Sequence, residues 1–435
     1  MINSQNAFSQ LVPFTSLAQK SFLPKPDNKS FNVAVIGTYA PRKCGIATFT
    51  EDLKTKVETF YPRTSFDVYA LDLHEAAPLY GDRVNLINVD EPESYRKAAR
   101  QINRSGVDAV WLQHEYGIFG GPDGILVTEL VDRIEVPLIV TFHTILSQPS
   151  AGQREVLGHI LARTDQAMVM SEHGRSLLTE LYGFSPDRIT MIPHGAPDRP
   201  FGREAGFKAR LGVAGRPVLM TFGLLRPGKG LEHAIEALPA ITAAHPDVLY
   251  RIVGATHPNL LREQGEAYRK LLETRVSELG VEDNVQWDNR FVDTEELLDQ
   301  IEACDIYLTP YPNLQQSTSG TLSYAVALGK AVVSTPYIHA RELLANGVGC
   351  LVPPEKPSAI SAAVNDLLDR PYSLAELKER AYARGRSTIW SRFAQASADL
   401  INKAAGEPAS AVAARDAQIY ERIAAESGSA ALRCR

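Results

Sequence analysis

The chain has 435 residues, 44% hydrophobic and 22% charged, a globular composition with more length than one ordinary core accommodates. Its formal charge of -6, from 45 basic and 51 acidic side chains, excludes a global positive field able to hold a nucleic-acid backbone or an anionic bilayer. The cysteines Cys44, Cys304, Cys350 and Cys434 lack metal-ligand spacing and are too few for a disulfide scaffold. They fit a reducing compartment, with Cys304 and Cys350 expected as small buried hydrophobes.

In chain order, residues 1–30 form an extension rich in polar residues, lysine and proline, without an apolar run of signal-peptide or membrane-spanning quality. A cytoplasmic location follows, and peripheral membrane association through an amphipathic patch stays compatible with the sequence. The first predicted strand is FNVAVIG, Phe31 to Gly37, followed by a turn with Pro41 and Gly45 and a helix from about Ile46 to Phe60. SFDVYAL, VDAVWLQ, VPLIVTF and DQAMVMS read as further short buried strands. Helices are expected over Glu93–Arg104, Gly124–Arg133, Gln153–Arg163 and His173–Tyr182. Continuous apolar strands alternating with helices fit a parallel sheet covered on both faces, so the first half is predicted to be a Rossmann-like domain.

After the polar stretch that follows IPHGAPD, the alternation restarts with PVLMTFG and VLYRIVG, then a long helix across Leu260–Leu279, then NVQWD, DIYLTP, KAVVST and GCLVP. The expected organisation is an N-terminal domain over 31–205, a C-terminal domain over 206–385, and a helical tail over 386–435 that packs back across the cleft. A further helix is expected at about 411–425.

The segments CGIATFT at 44–50, TFHT at 141–144, SEHG at 171–174, IPHGAPD at 192–198, FGLLRPGKG at 222–230, DIYLTPY at 305–311, SGTLSYAVALGKAVVST at 319–335 and ARELL at 340–344 follow one another along the chain. Their order resembles that of the large retaining glycosyltransferase family 4, which uses nucleotide sugars on the two-domain GT-B architecture. The resemblance covers most of residues 31–405. It implies an α/β GT-B fold, two Rossmann-like domains facing across a cleft, with the donor held by the second.

In FGLLRPGKG a flexible loop leaves the strand at Phe222 or Gly223, and Lys229 lies where the next helix begins. A lysine there can neutralise a phosphate while the helix start adds backbone donors. The resemblance places Lys229 beside a donor pyrophosphate and Arg226 as a second cation, with Leu224 standing where the family commonly has a basic residue. Ser319-Gly320-Thr321 precedes an apolar helical run, so its N–H groups and hydroxyls suit the same anion, and Gly320 permits close approach.

The family carries two glutamates with seven residues between them, one near the transferred sugar and one on the ribose. Gln316 and Tyr324 occupy those positions and supply no negative charge. Glu342, in ARELL, is a candidate for orienting a loop or a sugar hydroxyl. An ordinary surface pair with Arg341 explains it equally well.

On the opposite wall, loops at the carboxyl ends of the strands are expected to gather ligand. Gly45 suits close backbone approach. By resemblance, His143 contacts the donor sugar. His114, Glu115 and Tyr116 are the acceptor-pocket candidates, while His173 and His194 fit either the cleft or structural packing. These histidines form no recognisable metal pattern. The implied reaction moves a hexosyl group from an activated donor to a carbohydrate or small hydroxyl acceptor with retention of anomeric configuration. His143, Lys229, Arg226 and Gln316 are nearest the chemistry, and no tightly bound cofactor is expected. A phosphorylase working on a sugar phosphate, or a noncatalytic carbohydrate-binding protein, are the competing readings.

Overall fold

The computed structural model describes residues 29–406. Most of the N-terminal extension and the helix expected at 411–425 lie outside the described residues. Two parallel sheets organise the rest. The first comprises β1 (Phe31–Gly37), β2 (Thr64–Asp72), β3 (Val84–Asn88), β4 (Ala109–His114), β5 (Leu138–Phe142), β6 (Gln166–Val169) and β7 (Ile189–Met191), in the spatial order β3-β2-β1-β4-β5-β6-β7. The second comprises β8 (Val218–Phe222), β9 (Leu249–Val253), β10 (Val285–Asp288), β11 (Ile306–Thr309), β12 (Ala331–Ser334) and β13 (Cys350–Leu351), in the order β10-β9-β8-β11-β12-β13. Each sheet reverses its strand order beside its first strand, between β1 and β4 and between β8 and β11. That reversal opens a crevice at the carboxyl ends of the strands, where ligands of such sheets bind.

The central strands are buried on both faces, as their continuous apolar runs require, and β4 and β8 are buried at every residue. One core lies behind the first sheet and another behind the second. A third core is shared between the domains, running from Val35 and Phe49 through Phe393 and Trp390 to Tyr324 and Met220. The helix Trp390–Ala405 belongs to this shared core. Its Phe393 ring meets Phe49 edge-on at 5.6 Å, and the backbone of Ile389 bridges to Ala196. A Cβ on Gly195 would sit 2.0 Å from the Trp390 ring, so glycine is what allows the crossing segments to touch.

Two expected helices differ in shape. The Gly124–Arg133 segment begins as a 3-10 turn over Pro122–Val127, and only Thr128–Val131 is α-helical. Asp123 and Gly124 take φ of 54° and 80°, a left-handed kink that an α-helix cannot contain. The Leu260–Leu279 segment splits into Pro258–Gln264 and Ala267–Glu278 because Gly265, at φ 61°, takes a backbone conformation that no helix contains. Cys304 is fully buried as expected, whereas Cys350, on the edge strand β13, is only half-buried.

Candidate active site

The C-terminal wall is built at the reversal between β8 and β11. Gly223 leaves β8 at φ 123°, which side-chain-bearing residues rarely adopt, and the chain turns through Pro227–Lys229 before the helix Leu231–Ala244 starts. A Cβ on Gly223 would lie 3.5 Å from both Lys229 Nζ and Thr321 Cγ2, so the glycine sits against the cluster's centre. Lys229 Nζ donates to the Tyr311 hydroxyl at 2.7 Å and lies 4.4 Å from the centre of its ring. The Tyr311 hydroxyl is in turn 3.0 Å from Thr321 Oγ1, which is 3.1 Å from Ser319 Oγ.

Ser319 caps the helix Gly320–Ala327, its hydroxyl accepting from the Leu322 amide at 3.3 Å. Its own amide donates to His339 Nδ1 at 2.9 Å, so the helix start is fixed from both sides. One ammonium, three hydroxyls and a helix N-terminus thus converge from loops far apart in sequence. Such a group matches a phosphate's charge and its need for several donors. Arg226 is exposed at the rim, and among the described residues its side chain makes no hydrogen bond or ion pair.

The N-terminal wall rises from the ends of β4 and β5. His143 Nε2 is 2.9 Å from Gln113 Oε1, and its ring meets Phe49 edge-on at 4.9 Å. Burial first, then the neighbouring His194 and His114, push the His143 imidazole down to about 3, so it is neutral at physiological pH. Glu115 faces Arg226 across the cleft. It accepts from Thr144 Oγ1 at 2.6 Å and from the Tyr116 amide at 3.1 Å, and burial raises its pKa against those contacts and the Arg226 charge. Gly45 begins the helix Gly45–Phe60 with open space where a Cβ would be, so backbone approach there is unobstructed.

Other candidates occupy different ground. His114 is fully buried among Tyr116, Phe119 and Phe142 rather than facing the cleft, and burial lowers its pKa to about 3. Gln113 and His114 are consecutive on β4 and so point to opposite faces of the sheet, which gives His143's side to the first and the apolar layer to the second. Gln316 folds onto its own loop, donating from Nε2 to the Thr318 carbonyl at 2.6 Å. Tyr324 is buried in the domain interface, hydrogen-bonded with Asp52 of the N-terminal domain. Glu342 reaches across the cleft and accepts from the amides of Glu172 and His173, at 3.0 and 2.9 Å, at the start of the helix Glu172–Tyr182.

The walls also touch where Ser317 Oγ donates to the His143 carbonyl at 2.9 Å. A small cavity remains beside this contact, lined by His143, Ser171, His173, Gly174, Ser317 and Thr318 among others. His194 sits under Gly320, where a Cβ would lie 2.9 Å from its Nε2, and its pKa is lowered by burial. Among the described residues no group of three or more His, Cys, Asp or Glu side chains could hold a metal ion. None of the described helices is long and apolar enough to cross a membrane.

Asp52, Ser317 and Thr144 were not singled out by sequence reasoning. Thr144 lies inside the segment TFHT and Ser317 just before SGTLSYAVALGKAVVST, so both were within reach of it. Asp52 lies on a helix whose charged residues look like an ordinary solvated face.

Residues 204–386 match the family model for glycosyl transferases group 1, and residues 55–199 match that for Glycosyltransferase Family 4, together about three quarters of the chain. A D-inositol 3-phosphate glycosyltransferase of Kineococcus radiotolerans is 27% identical over 317 residues, covering 67% of this chain and 71% of that one. A GDP-mannose-dependent alpha-(1-6)-phosphatidylinositol monomannoside mannosyltransferase of Mycolicibacterium smegmatis is 26% identical over 364 residues, covering 79% and 90%. The solved structure of Anabaena Alr3699/HepE in complex with UDP superposes with a TM-score of 0.66 at 17% identity, covering 91% of this chain and 100% of that one. With two parallel-sheet domains meeting at their strand-reversal crevices and a family match to each, the chain is a glycosyltransferase of the family 4 type on the GT-B fold.

Proposed function

We propose that the protein transfers a hexosyl group from a nucleotide sugar to a hydroxyl of a sugar, glycan or small-molecule acceptor, with retention of anomeric configuration, in the cytoplasm. The observation that carries the reading is the convergence of Lys229, Tyr311, Ser319, Thr321 and the Gly320 helix start on one point of the donor-side crevice. Increasing negative charge on a departing diphosphate would be stabilised there more than in the ground state, which is what accelerates bond breaking.

In this reading the departing phosphate oxygen takes the acceptor proton on the face from which it leaves, so no carboxylate nucleophile is needed. His143, neutral and fixed by Gln113, serves as a hydrogen-bonding partner of a sugar hydroxyl rather than as an acid. Glu115, held by Thr144 and its own loop, is an acceptor-side carboxyl that feels Arg226's charge. Closure of the two walls excludes water and limits hydrolysis. The names of the relatives, which include a GDP-mannose-dependent enzyme, and the UDP held by the Anabaena neighbour agree with a nucleotide-sugar donor.

The second reading, a phosphorylase working with inorganic phosphate and a sugar phosphate, is favoured by one feature. Neither Gln316 nor Tyr324 presents a carboxylate to a ribose, the first being bonded to Thr318 and the second to Asp52. A product-resolved screen of nucleotide sugars against varied acceptors separates the two. Transfer is expected, and Lys229→Ala is expected to lower kcat/KM by about 100-fold with folding intact. Saturation by phosphate and hexose phosphates with no response to nucleotides would replace the transferase by the phosphorylase. Wild-type efficiency in Lys229→Ala would remove the phosphate grip altogether.

A further inference from the structure

Tyr311 stands between the two halves of the proposed phosphate grip. Its hydroxyl accepts from Lys229 at 2.7 Å and pairs with Thr321 Oγ1 at 3.0 Å, while its ring, 3% exposed, stacks on Tyr337 at 5.0 Å with 17° between planes. A phenol has one proton. With the oxygen accepting from the lysine, the proton given to Thr321, and Ser319 donating its own proton to Thr321 Oγ1, the remaining N–H groups of Lys229 and the hydroxyl proton of Thr321 are left for a ligand.

We propose that Tyr311 is a positioning residue of the phosphate site: as a phenol it holds Lys229 and Thr321 with their free donors facing the cleft, and as a phenolate it claims Lys229 as its own ion-pair partner and weakens phosphate binding. The inference rests on the reading of the Lys229 cluster as a phosphate site.

The groups facing the Tyr311 hydroxyl agree with this. Lys229 comes from the loop after β8, Ser319 and Thr321 from the start of the Gly320 helix, Tyr250 from β9, Tyr307 from β11 and Tyr337 from the segment after β12. Burial alone would raise the Tyr311 pKa, but the Lys229 charge and its hydrogen bond, with those of Thr321 and Ser319, outweigh burial and bring it below the usual tyrosine value. Burial raises the pKa of Tyr250, Tyr307 and Tyr337, so of these four phenols Tyr311 ionises first. A phenolate beside the ammonium cancels its charge and repels an incoming phosphate.

The test titrates UDP, GDP, ADP and inorganic pyrophosphate into the full chain from neutral to alkaline pH, for wild type, Tyr311→Phe and Lys229→Ala. Affinity of wild type for the best of these probes is expected to fall as pH rises. Tyr311→Phe keeps the ring and its stack on Tyr337. It is expected to bind about tenfold more weakly at neutral pH, the loss of a charge-assisted hydrogen bond, and to lack the wild-type decline. Near-ultraviolet absorbance gives a second readout that needs no ligand. A phenolate transition below the usual tyrosine range should be missing in Tyr311→Phe and displaced to higher pH in Lys229→Ala. Wild-type affinity and pH profile in Tyr311→Phe, or an unchanged early phenolate transition in both variants, would overturn the proposal alone. Failure of every probe to bind wild type, or equal binding by Lys229→Ala, would instead overturn the phosphate site on which it rests.

Discussion

Ser319 has two duties that single substitutions separate. Its hydroxyl caps the Gly320 helix through the Leu322 amide and also borders Thr321 Oγ1 in the donor cluster. Ser319→Ala is therefore expected to cost about 1 kcal/mol of stability, the usual value of a lost cap, together with donor affinity. Thr321→Val removes only the second contribution. It should weaken donor binding with a smaller shift in the denaturation midpoint, so chemical unfolding paired with a nucleotide titration checks both. At this scale the sequence was informative where chemistry and backbone coincide locally. Lys229 and Ser319-Gly320-Thr321 each follow a strand and open a helix, and that arrangement is written in adjacent residues. Tyr311 was visible only as the last residue of DIYLTPY, because its value comes from Lys229, which the chain brings to it from the loop after another strand.

Glu342 illustrates how one element completes another. The first amides of the helix Glu172–Tyr182 have no partners within their own helix, and Ser171 satisfies that of Gly174. Glu342 from the opposite domain satisfies those of Glu172 and His173 and places negative charge at the helix start. Glu342→Ala should expose both amides, measured as faster hydrogen exchange at Glu172 and His173. An unchanged exchange rate would mean that the contact is dispensable for holding the walls together. ARELL marked Glu342 for attention, but its ordinary alternative was an ion pair with Arg341, and nothing in the sequence pointed to a helix in the other domain. Burial alone did not decide which elements were legible, since the half-exposed edge strands β10 and β13 were anticipated. β1 was anticipated at both ends, whereas β3 and β7, half-exposed at the sheet edges, lack the continuous apolar run that announces a strand.

Across the whole molecule, the domains are joined by a shared core, by the returning Trp390 helix and by the Asp52–Tyr324 hydrogen bond. Burial is the main cause that raises the Asp52 pKa from 3.8 to about 6, with Lys56 and Tyr324 opposing it. A carboxyl whose folded pKa is raised binds more protons folded than unfolded, so its contribution is fully present below 3.8 and is lost as pH climbs towards about 6. Asp52→Asn stays neutral throughout. Its stability relative to wild type should grow across that window and then level off, as thermal unfolding at a series of pH values would show. A constant difference would mean that Asp52 ionises without cost at the interface.

The sequence by itself determined the alternation of buried strands and helices, hence the two parallel sheets, and it marked the loop lysine and the helix start that suit an anion. These are local consequences of apolar runs, glycines and capping residues. Only the tertiary structure decided which residues share a site. It set Gln113 against His143, sealed His114 in an apolar layer, turned Tyr324 towards Asp52, and placed Tyr311 between Lys229 and Thr321. Each of those outcomes depends on strand order and on which face of a sheet or helix meets its neighbour, and periodicity along the chain carries no record of the partner on the other side.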